Sequence, residues 1–580
     1  MLANTPVVKS APARALFIAT AAITAGVLLW THQLALSLNH GSDLHGLTPI
    51  FFNLFAFDDY EASVVAMAII LITVFLSGAL PVRRILGWFG GHPLLIAVLT
   101  ALILSAGTVF IYLNHPLAMD EYAQYFQSQV FAAGKLEGTF PTGPLDWLVP
   151  PGFQNFFLSV SPVTGAVASG YWPSFALLLA PFAALGIPWA CNPVISALTV
   201  LIAHRIALRI YANQEAAGLV VLLTAASPVI FADGISYYSM AAHLLANSIF
   251  VLLLLEPTRA RVLLAGLVGS VALTLHNPVP HILFAVPWII WLLRRPGGIA
   301  LGAWLAAGYA PLCAIIGLGW FWFTGHLRHE GVIAAAVATG ATTGSVGGAL
   351  DGMWQTLSVF SMPDATVFLA RFIGIAKIWV WAVPGLMIVA AAGAYRYWRV
   401  PAIRLLSLSA ILTLLGYFLV SADQGHGWGY RYFHSAWIAL PLLAAGALYP
   451  IPGAASRGAG FDDEGVRAFV VACAVLTLFL GVGFRAFQMH SFMAADVKQA
   501  PAYTGKERRV VMIKTQHTFY AGDLVQNDPW LRGNEIIMMS HDAESDAQMM
   551  QQYFPSLRMV YADSHGTVWS AATGTQRLAK

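Results

Sequence analysis

Residues 93–122 read PLLIAVLTALILSAGTVFIYLNHPLAMDEY, an apolar run that ends shortly before two adjacent carboxylates. The run 93–113 is long and apolar enough for a helix that crosses a bilayer, which needs about 20 residues. The pair Asp120-Glu121 follows within a few residues. Because an acidic side chain at a membrane is costly unless it has a function, this junction indicates both a class of fold and a place for chemistry.

The composition of the whole chain is that of a membrane protein. Of its 580 residues, 58% are hydrophobic and 10% are charged, with a mean hydropathy of +0.70. Soluble proteins have roughly 45–50% and 25%. A net charge of +3 is too small to indicate a nucleic-acid partner. Cys191, Cys313 and Cys473 all lie in apolar runs, which excludes a disulfide scaffold. We therefore predict an all-α polytopic membrane protein.

The charge distribution predicts how the helices cross the membrane. Thirteen apolar segments are predicted to span it: 14–36, 64–82, 93–113, 191–211, 217–232, 240–256, 262–276, 281–293, 299–323, 375–395, 403–421, 435–449 and 466–484. With the N-terminus in the cytoplasm, the inner loops hold 15 lysines and arginines and the outer loops hold four, as the positive-inside rule requires. Segment 172–189 is excluded from the spans, because counting it would reverse this bias, and is predicted to lie at the outer face.

Two domains are predicted. Residues 1–484 form the transmembrane domain, with an outer catalytic loop at 114–190 and a flexible Gly/Ala/Thr-rich outer loop at 325–369. Residues 485–580 form a small α/β domain outside the membrane. Its predicted elements are strands at 509–514 and 535–539, a helix at 543–553 and a hairpin at 558–571 that turns at Ser564-His565-Gly566.

The acidic pair begins a predicted helix. Apolar or aromatic residues at 122, 125, 126, 130 and 133 follow helical spacing, and Gly134 is placed to end the helix. In the structural interpretation, Asp120 is its N-cap and Glu121 a favourable charge in its first turn. In the functional interpretation both are catalytic, and their position at the outer end of a span favours this alternative.

The sequence around the pair resembles a known family. Asp120-Glu121-Tyr122, Phe126-Gln127, the run 131–136 (FAAGKL), Gly186-Ile187-Pro188-Trp189 and Asn192-Pro193 are similar to integral-membrane glycosyltransferases of the GT-C class. The closest resemblance is to bacterial protein O-mannosyltransferases and lipid A aminoarabinose transferases, over residues 93–295 and more weakly 375–450.

The resemblance implies an inverting transferase in a bacterial inner membrane. Its donor would be a polyprenyl-phosphate-linked sugar, and its acceptor a hydroxyl of a glycan, a lipid or a protein. Asp120 would be the general base, since a hydroxyl needs a positioned carboxylate to take its proton. Two features depart from the family pattern: an extra helix pair precedes the acidic loop, and Tyr171-Trp172-Pro173 stands where many relatives have Pro-Pro.

Arg431 is the candidate for binding the donor phosphate. It lies in the segment 424–434 (QGHGWGYRYFH) at the outer end of a span, and guanidinium groups bind phosphate in a bidentate manner. The alternative is an interfacial aromatic belt with a snorkelling arginine. Aromatic and histidine side chains predicted at the outer face complete the candidate donor site: Tyr430, Tyr432, His426, His434, Tyr237, His243, His276 and His281.

No cofactor is required by the sequence, although a divalent metal bridging Asp120 with His115, His426 or His434 is chemically possible. The absence of a Walker-type loop or dinucleotide fingerprint disfavours a nucleotide-sugar donor. Two other functional classes stay open. A lipid or saccharide transporter would need charges within its spans, and the predicted spans are nearly free of them. A noncatalytic assembly factor would tolerate neutralisation of Asp120.

Overall fold

A computed structural model describes residues 10–40, 50–339, 363–422, 424–458, 463–503, 505, 507–515 and 520–571. The chain begins with helices that precede the acidic pair. These are α1 (Ala11–His40), α2 (Ile50–Ala56), α3 (Asp58–Leu76), α4 (Val82–Gly91) and α5 (Pro93–Phe110).

The predicted outer loop 114–190 is folded. Its elements are α6 (Met119–Ala132), β1 (Gly138–Thr139), α7 (Leu145–Leu148), β2 (Leu158–Val160), β3 (Ala166–Ser169) and α8 (Ser174–Ala184). The strands form an antiparallel sheet in the order β1-β3-β2. The observed α6 confirms the helix predicted after the acidic pair.

The middle of the chain is helical. Its helices are α9 (Cys191–Tyr211), α10 (Gln214–Ala226), α11 (Pro228–Ile235), α12 (Met240–Leu254), α13 (Arg259–Leu273), α14 (Val279–Leu293), α15 (Gly298–Leu312), α16 (Gly319–Thr339), α17 (Ala365–Val380), α18 (Leu386–Arg396), α19 (Pro401–Gly416), α20 (Arg431–His434) and α21 (Ala439–Leu448). Some pairs pack backbone to backbone: a Cβ on Gly266 of α13 would lie 2.3 Å from the Leu305 carbonyl oxygen of α15. Glycine at this contact lets the two helices approach closely.

The chain ends with two helices and a small α/β domain. Helices α22 (Glu464–Leu476) and α23 (Val482–Val497) are followed by β4 (Arg509–Lys514), β5 (Glu535–Ser540), α24 (Ala543–Tyr553), β6 (Arg558–Ala562) and β7 (Gly566–Ser570). The sheet order is β5-β4-β7-β6, with β4 and β5 parallel and the other pairs antiparallel. The predicted strands, helix and hairpin of this domain are confirmed. The division at residue 484 stays a prediction, because one continuous helical span, Glu464–Val497, crosses it.

The chain is a polytopic membrane protein by the length and composition of its helices. Seven described stretches can cross a bilayer: Ala11–Leu38, Ile50–Leu76, Pro93–Phe110, Pro188–Tyr211, Gly298–Arg328, Pro401–Leu419 and Glu464–Val497. Helices α10 and α11 form an eighth if the pair, bent by 58°, is one span. Shorter apolar helices, including α8, α12, α14, α18 and α21, accompany them. The count of 13, the orientation and the placement of 172–189 stay predictions.

Two predicted segments differ from the structure. The span expected at 375–395 is two helices, α17 and α18, because Pro384 cannot continue a helix and Gly385 adopts a φ of +82°. The loop expected at 325–369 is helical at its start, since α16 continues through the alanine-rich residues to Thr339, and helical at its end, where α17 begins. Residues 340–362 lie outside the described part of the chain.

Two of the helices that can cross the bilayer are longer than the predicted spans and carry buried charges that those spans did not include. Asp59 of α3 lies between Lys377 of α17 and Arg485 of α23, with oxygen–nitrogen distances of 2.6 Å to each. All three side chains are at most 3% exposed. The α3 helix begins earlier than the sequence indicated, at Asp58, and so brings its acidic first turn into the bundle. The carboxylate is paired, as buried charges must be.

Candidate active site

Asp120 and Arg431, the two principal candidates, form an ion pair. Arg431 Nη1 donates to Asp120 Oδ2 at 2.8 Å, and the Tyr171 hydroxyl donates to Asp120 Oδ1. The two charged side chains are 8% and 20% exposed. Burial alone would favour the neutral acid, but the positive charge of Arg431 holds the pKa of Asp120 below its ordinary value. The carboxylate is therefore ionised and partly accessible.

The interpretation of Asp120 as a helix N-cap is wrong. The N-cap of α6 is Ala118, and Asp120 is the second helical residue. Its side chain bonds to groups from two distant segments, since Tyr171 precedes α8 and Arg431 begins α20. The carboxylate is thus committed to tertiary contacts rather than to the start of its own helix.

Glu121 is held by the scaffold around it. Its carboxylate accepts from the backbone N–H of Leu117 at 2.8 Å and of Tyr237 at 2.7 Å, and from the Tyr112 hydroxyl at 3.0 Å. It is fully buried, and burial raises its pKa to about 7. These bonds tie the start of α6 to the end of α5 and to the turn after α11. Glu121 thereby orients its neighbour Asp120.

The glycine-rich segment before α20 contacts both the backbone and the side chain of Arg431. Gln424 accepts the backbone N–H of Arg431 through Oε1 at 3.0 Å, and its carbonyl oxygen accepts from the guanidinium. Gly427 has a φ of +143°, and a Cβ there would lie 2.5 Å from the Arg431 side chain. The guanidinium also lies 4.6 Å from the ring centre of Tyr238. An aromatic face and two oxygen acceptors therefore fix this cation.

His276 is the predicted histidine that reaches this pair. Its ring packs against that of Tyr171, with centroids 4.4 Å apart. Its nearness to Asp120 adds to the effect of Arg431 in lowering the pKa of that carboxyl. His243 and His426 are buried, and neither ring has a hydrogen-bond partner among the described residues. His426 packs against aromatic rings, including Trp428 at 5.1 Å and Tyr520 at 5.0 Å.

His434 pairs with an acid that the sequence analysis missed. Its Nδ1 lies 2.7 Å from Asp233 Oδ2, and both side chains are 1% exposed. Asp233 is on α11, one residue after the predicted span 217–232, so its only sequence signal was a lone carboxylate at the end of that span.

Other candidates have structural contacts away from Asp120. His281 bonds to Asn247 Oδ1 at 2.7 Å and to the Tyr309 hydroxyl at 2.6 Å. The Tyr237 hydroxyl donates to Asn114 at 2.5 Å. The rings of Tyr430 and Tyr432 lie near α17 instead: a Cβ on Gly374 would lie 2.4 Å from Tyr430, and Arg371 lies 5.0 Å from the Tyr432 ring centre.

The suggested metal ligands are not assembled into one site. Among the described residues, no group of three or more His, Cys, Asp or Glu side chains is arranged to hold a metal ion. Asp120 forms an ion pair with Arg431, and His434 Nδ1 lies 2.7 Å from Asp233 Oδ2. His115 is partly buried, and desolvation of its ring lowers its pKa to about 4.

The C-terminal domain contributes a third carboxylate, that of Asp523, near Asp120 and Glu121. Asp523 Oδ1 accepts the backbone N–H of Met119, the first residue of α6, at 2.6 Å. One turn along, the Tyr122 hydroxyl exchanges hydrogen bonds with the backbone of Asn527 at 2.7 and 2.8 Å. Asp523 is 8% exposed, and burial raises its pKa to about 8. No local pattern could have identified it, because it lies some 400 residues from Asp120 in the sequence.

Comparison with solved structures identifies the fold. ArnT from Cupriavidus metallidurans bound to undecaprenyl phosphate superimposes with a TM-score of 0.50 and 14% identity, covering 83% of this chain and 99% of that chain. ArnT of the same organism in the apo state gives 0.49 and 14%, with the same coverage. No protein-family model and no curated protein matches the chain. The chain has the GT-C fold, with a small C-terminal sheet domain.

We predict that Asp523→Asn removes part of the pH dependence of stability. The Asp523 carboxyl has a pKa of about 8 in the folded chain and an ordinary low value when unfolded. Its stabilising contribution is therefore lost as the pH rises between these values, at no more than about 1.4 kcal/mol per pH unit. Asparagine keeps the acceptor for Met119 but cannot ionise.

Thermal unfolding of the purified chain in detergent, at a series of pH values between about 5 and 8, measures this effect. The wild-type midpoint should fall more steeply with pH than that of Asp523→Asn. Glu544→Gln, which changes an exposed carboxylate of the same domain, should keep the wild-type slope. Equal slopes for Asp523→Asn and wild type would contradict the prediction.

Proposed function

From the GT-C fold, we propose that this chain is an inverting glycosyltransferase. It moves a monosaccharide from a polyprenyl-phosphate donor to a hydroxyl of a glycan, lipid or protein acceptor. The observation that carries the proposal is the partly accessible Asp120 carboxylate paired with Arg431, at the position where the sequence resembles GT-C transferases. The ArnT structure with this fold is bound to undecaprenyl phosphate. The transporter alternative would need charges within the spans, but the buried Asp59 is paired with Lys377 and Arg485, so this cluster does not favour it.

Asp120 acts in this proposal as the general base. It takes the proton of the acceptor hydroxyl while the oxygen attacks the anomeric carbon of the sugar. The bond from that carbon to the phosphate oxygen breaks at the same time, and the lipid phosphate leaves with the electron pair. A single displacement inverts the anomeric centre.

Arg431 has two roles in the proposal. Without donor it pairs with Asp120 and makes that carboxylate a weak base. When a donor phosphate binds, the phosphate oxygens compete for the guanidinium, since arginine binds phosphate well. Asp120 then loses part of its counter-charge and becomes more basic, while Arg431 stabilises the charge that develops on the leaving phosphate. Donor binding would thereby activate the base.

The proposed location is a bacterial inner membrane, with the N-terminus in the cytoplasm and the Asp120 site facing the periplasm. The excess of arginines in the predicted inner loops supports this orientation. A reporter enzyme that works only outside the cytoplasm should be active when it is fused after Lys580. Activity of a cytoplasmic reporter at that position would reverse the orientation and restore 172–189 as a span.

Asp120→Asn should reduce transfer by about 10² to 10⁴-fold, because asparagine cannot accept the proton. The measurement is turnover by purified protein with polyprenyl-phosphate monosaccharides and an envelope extract as acceptor, followed by mass analysis of the product. Asp146→Asn changes an exposed carboxylate of the same outer region and should retain activity. Near-normal transfer by a folded Asp120→Asn protein would remove Asp120 from the mechanism.

Arg431→Gln should raise the donor concentration needed for half-maximal rate and alter the pH profile. Loss of the guanidinium raises the pKa of Asp120, so the base becomes protonated at a higher pH. The acidic limb of kcat/KM should therefore shift upward. Arg532→Gln, at an arginine whose side chain is 67% exposed, should change neither quantity. An unchanged donor requirement with an unmoved acidic limb would favour the interfacial-belt interpretation.

A further inference from the structure

A second candidate binding site lies at the opposite end of the helical bundle from Asp120. Three helices link the two ends. Helix α9 starts beside the first site, where Asn192 donates to the carbonyl of Tyr238, whose ring lies under Arg431. Helix α12 starts two residues after Tyr238, and α14 starts three residues after His276. From Asn192 to Arg209 the rise along α9 is about 26 Å, which is close to the thickness of a bilayer core.

A cleft with a volume of about 340 Å³ opens where these helices end. It lies between the last turns of α9 and α14, the residues after α12 and the first turn of α19. Its lining combines apolar side chains, such as Ile210, Leu255 and Leu405, with two tryptophans and charged groups. A lining that combines apolar and charged side chains suits an amphipathic ligand.

The charges of this cleft favour an anion. Glu256 is shared by two arginines: it forms an ion pair with Arg209 and lies 2.5 Å from Arg261. Arg295 lies 4.6 Å from the Trp291 ring centre and has no carboxylate partner among the described residues. More arginines flank the same helix ends in the sequence: Arg205, Arg259, Arg294, Arg399 and Arg404. Among the residues that line the cleft, two arginines and one glutamate leave one net positive charge.

The surroundings of the cleft match a membrane interface. Trp288 is buried, with its indole N–H donating to Ser409 at 3.1 Å, and Trp291 is partly exposed beside Arg295. A partly exposed tryptophan beside an arginine, as Trp291 lies beside Arg295, is typical of the headgroup level of a bilayer. On the adjoining turns of α14, Ile290 and Leu293 are 43% and 45% exposed. These side chains offer an apolar surface that continues from the cleft along the helix.

We propose that this cleft binds an anionic phospholipid. The headgroup phosphate contacts Arg295 and Arg209, and an acyl chain packs along the exposed apolar face of α14. Basic pockets between transmembrane helices recognise lipid headgroups in this manner. The site is separate from the one proposed for the sugar donor, and its occupancy does not depend on transferase activity.

Lipid titration of the full-length chain in a nonionic detergent, followed by native mass spectrometry, tests the proposal. Phosphatidylglycerol should bind more tightly than phosphatidylcholine with the same acyl chains. Arg295→Gln should weaken phosphatidylglycerol binding by about fivefold, and the double variant Arg209→Gln/Arg295→Gln by about 30-fold. Phosphatidylcholine binding should change little.

Arg84→Gln is the matched control. Arg84 is an exposed arginine of α4, which packs on Gln214 just after the end of α9, but it does not line the cleft. This variant should bind phosphatidylglycerol as the wild type does. Arg295→Lys, which keeps the charge, should lose less affinity than Arg295→Gln, and this comparison separates loss of charge from loss of folding. Equal affinity for the two lipids, wild-type affinity of the double variant, or an equal loss in Arg84→Gln would each overturn the proposal.

Discussion

The buried Glu121 carboxylate is the contact on which the candidate active site depends. It gathers donors from the end of α5, the turn before α6 and the turn after α11. A buried carboxylate without such donors would cost several kcal/mol, so these segments must come together around it. The start of α6 is thereby fixed, and the adjacent residue, Asp120, is directed towards Arg431. Glu121 fixes the start of α6, and Asp120 is thereby placed where it contacts Tyr171 and Arg431.

The ion pair of Asp120 and Arg431 joins the residue proposed as the general base to the residue proposed to bind the donor phosphate. In the structure each satisfies the other, which removes the cost of two unpaired charges in a partly buried site. A donor phosphate that binds Arg431 would replace the Asp120 carboxylate as the anion beside the guanidinium. In the proposed mechanism, the pairing with Arg431 keeps Asp120 a weak base until a donor phosphate binds. The C-terminal domain adds Asp523 to the same region, so that a domain outside the predicted spans helps to position α6.

Several elements could be predicted because their signals are local. The apolar run ending before Asp120, the helical spacing after it and the strand patterns at 509–514 and 535–539 are properties of short segments. The break at Pro384-Gly385 was missed because apolar composition alone does not distinguish one long helix from two short ones. Asp59 was missed for a related reason. The α3 helix starts before the apolar run, and only packing against Lys377 and Arg485 makes its acidic turn suitable for burial.

The sequence by itself determined the membrane class of the chain, most helix positions, the α/β character of the C-terminal domain and the choice of Asp120 and Arg431 as candidates. These features follow from hydropathy, periodicity and residue chemistry, which act over one or two turns of chain. The tertiary structure alone decided that these two residues touch, that Glu121 serves the scaffold, that His281 is held by Asn247 and Tyr309, and that Asp523 reaches α6. Contacts between residues hundreds of positions apart depend on how helices pack, and packing is a property of the whole chain.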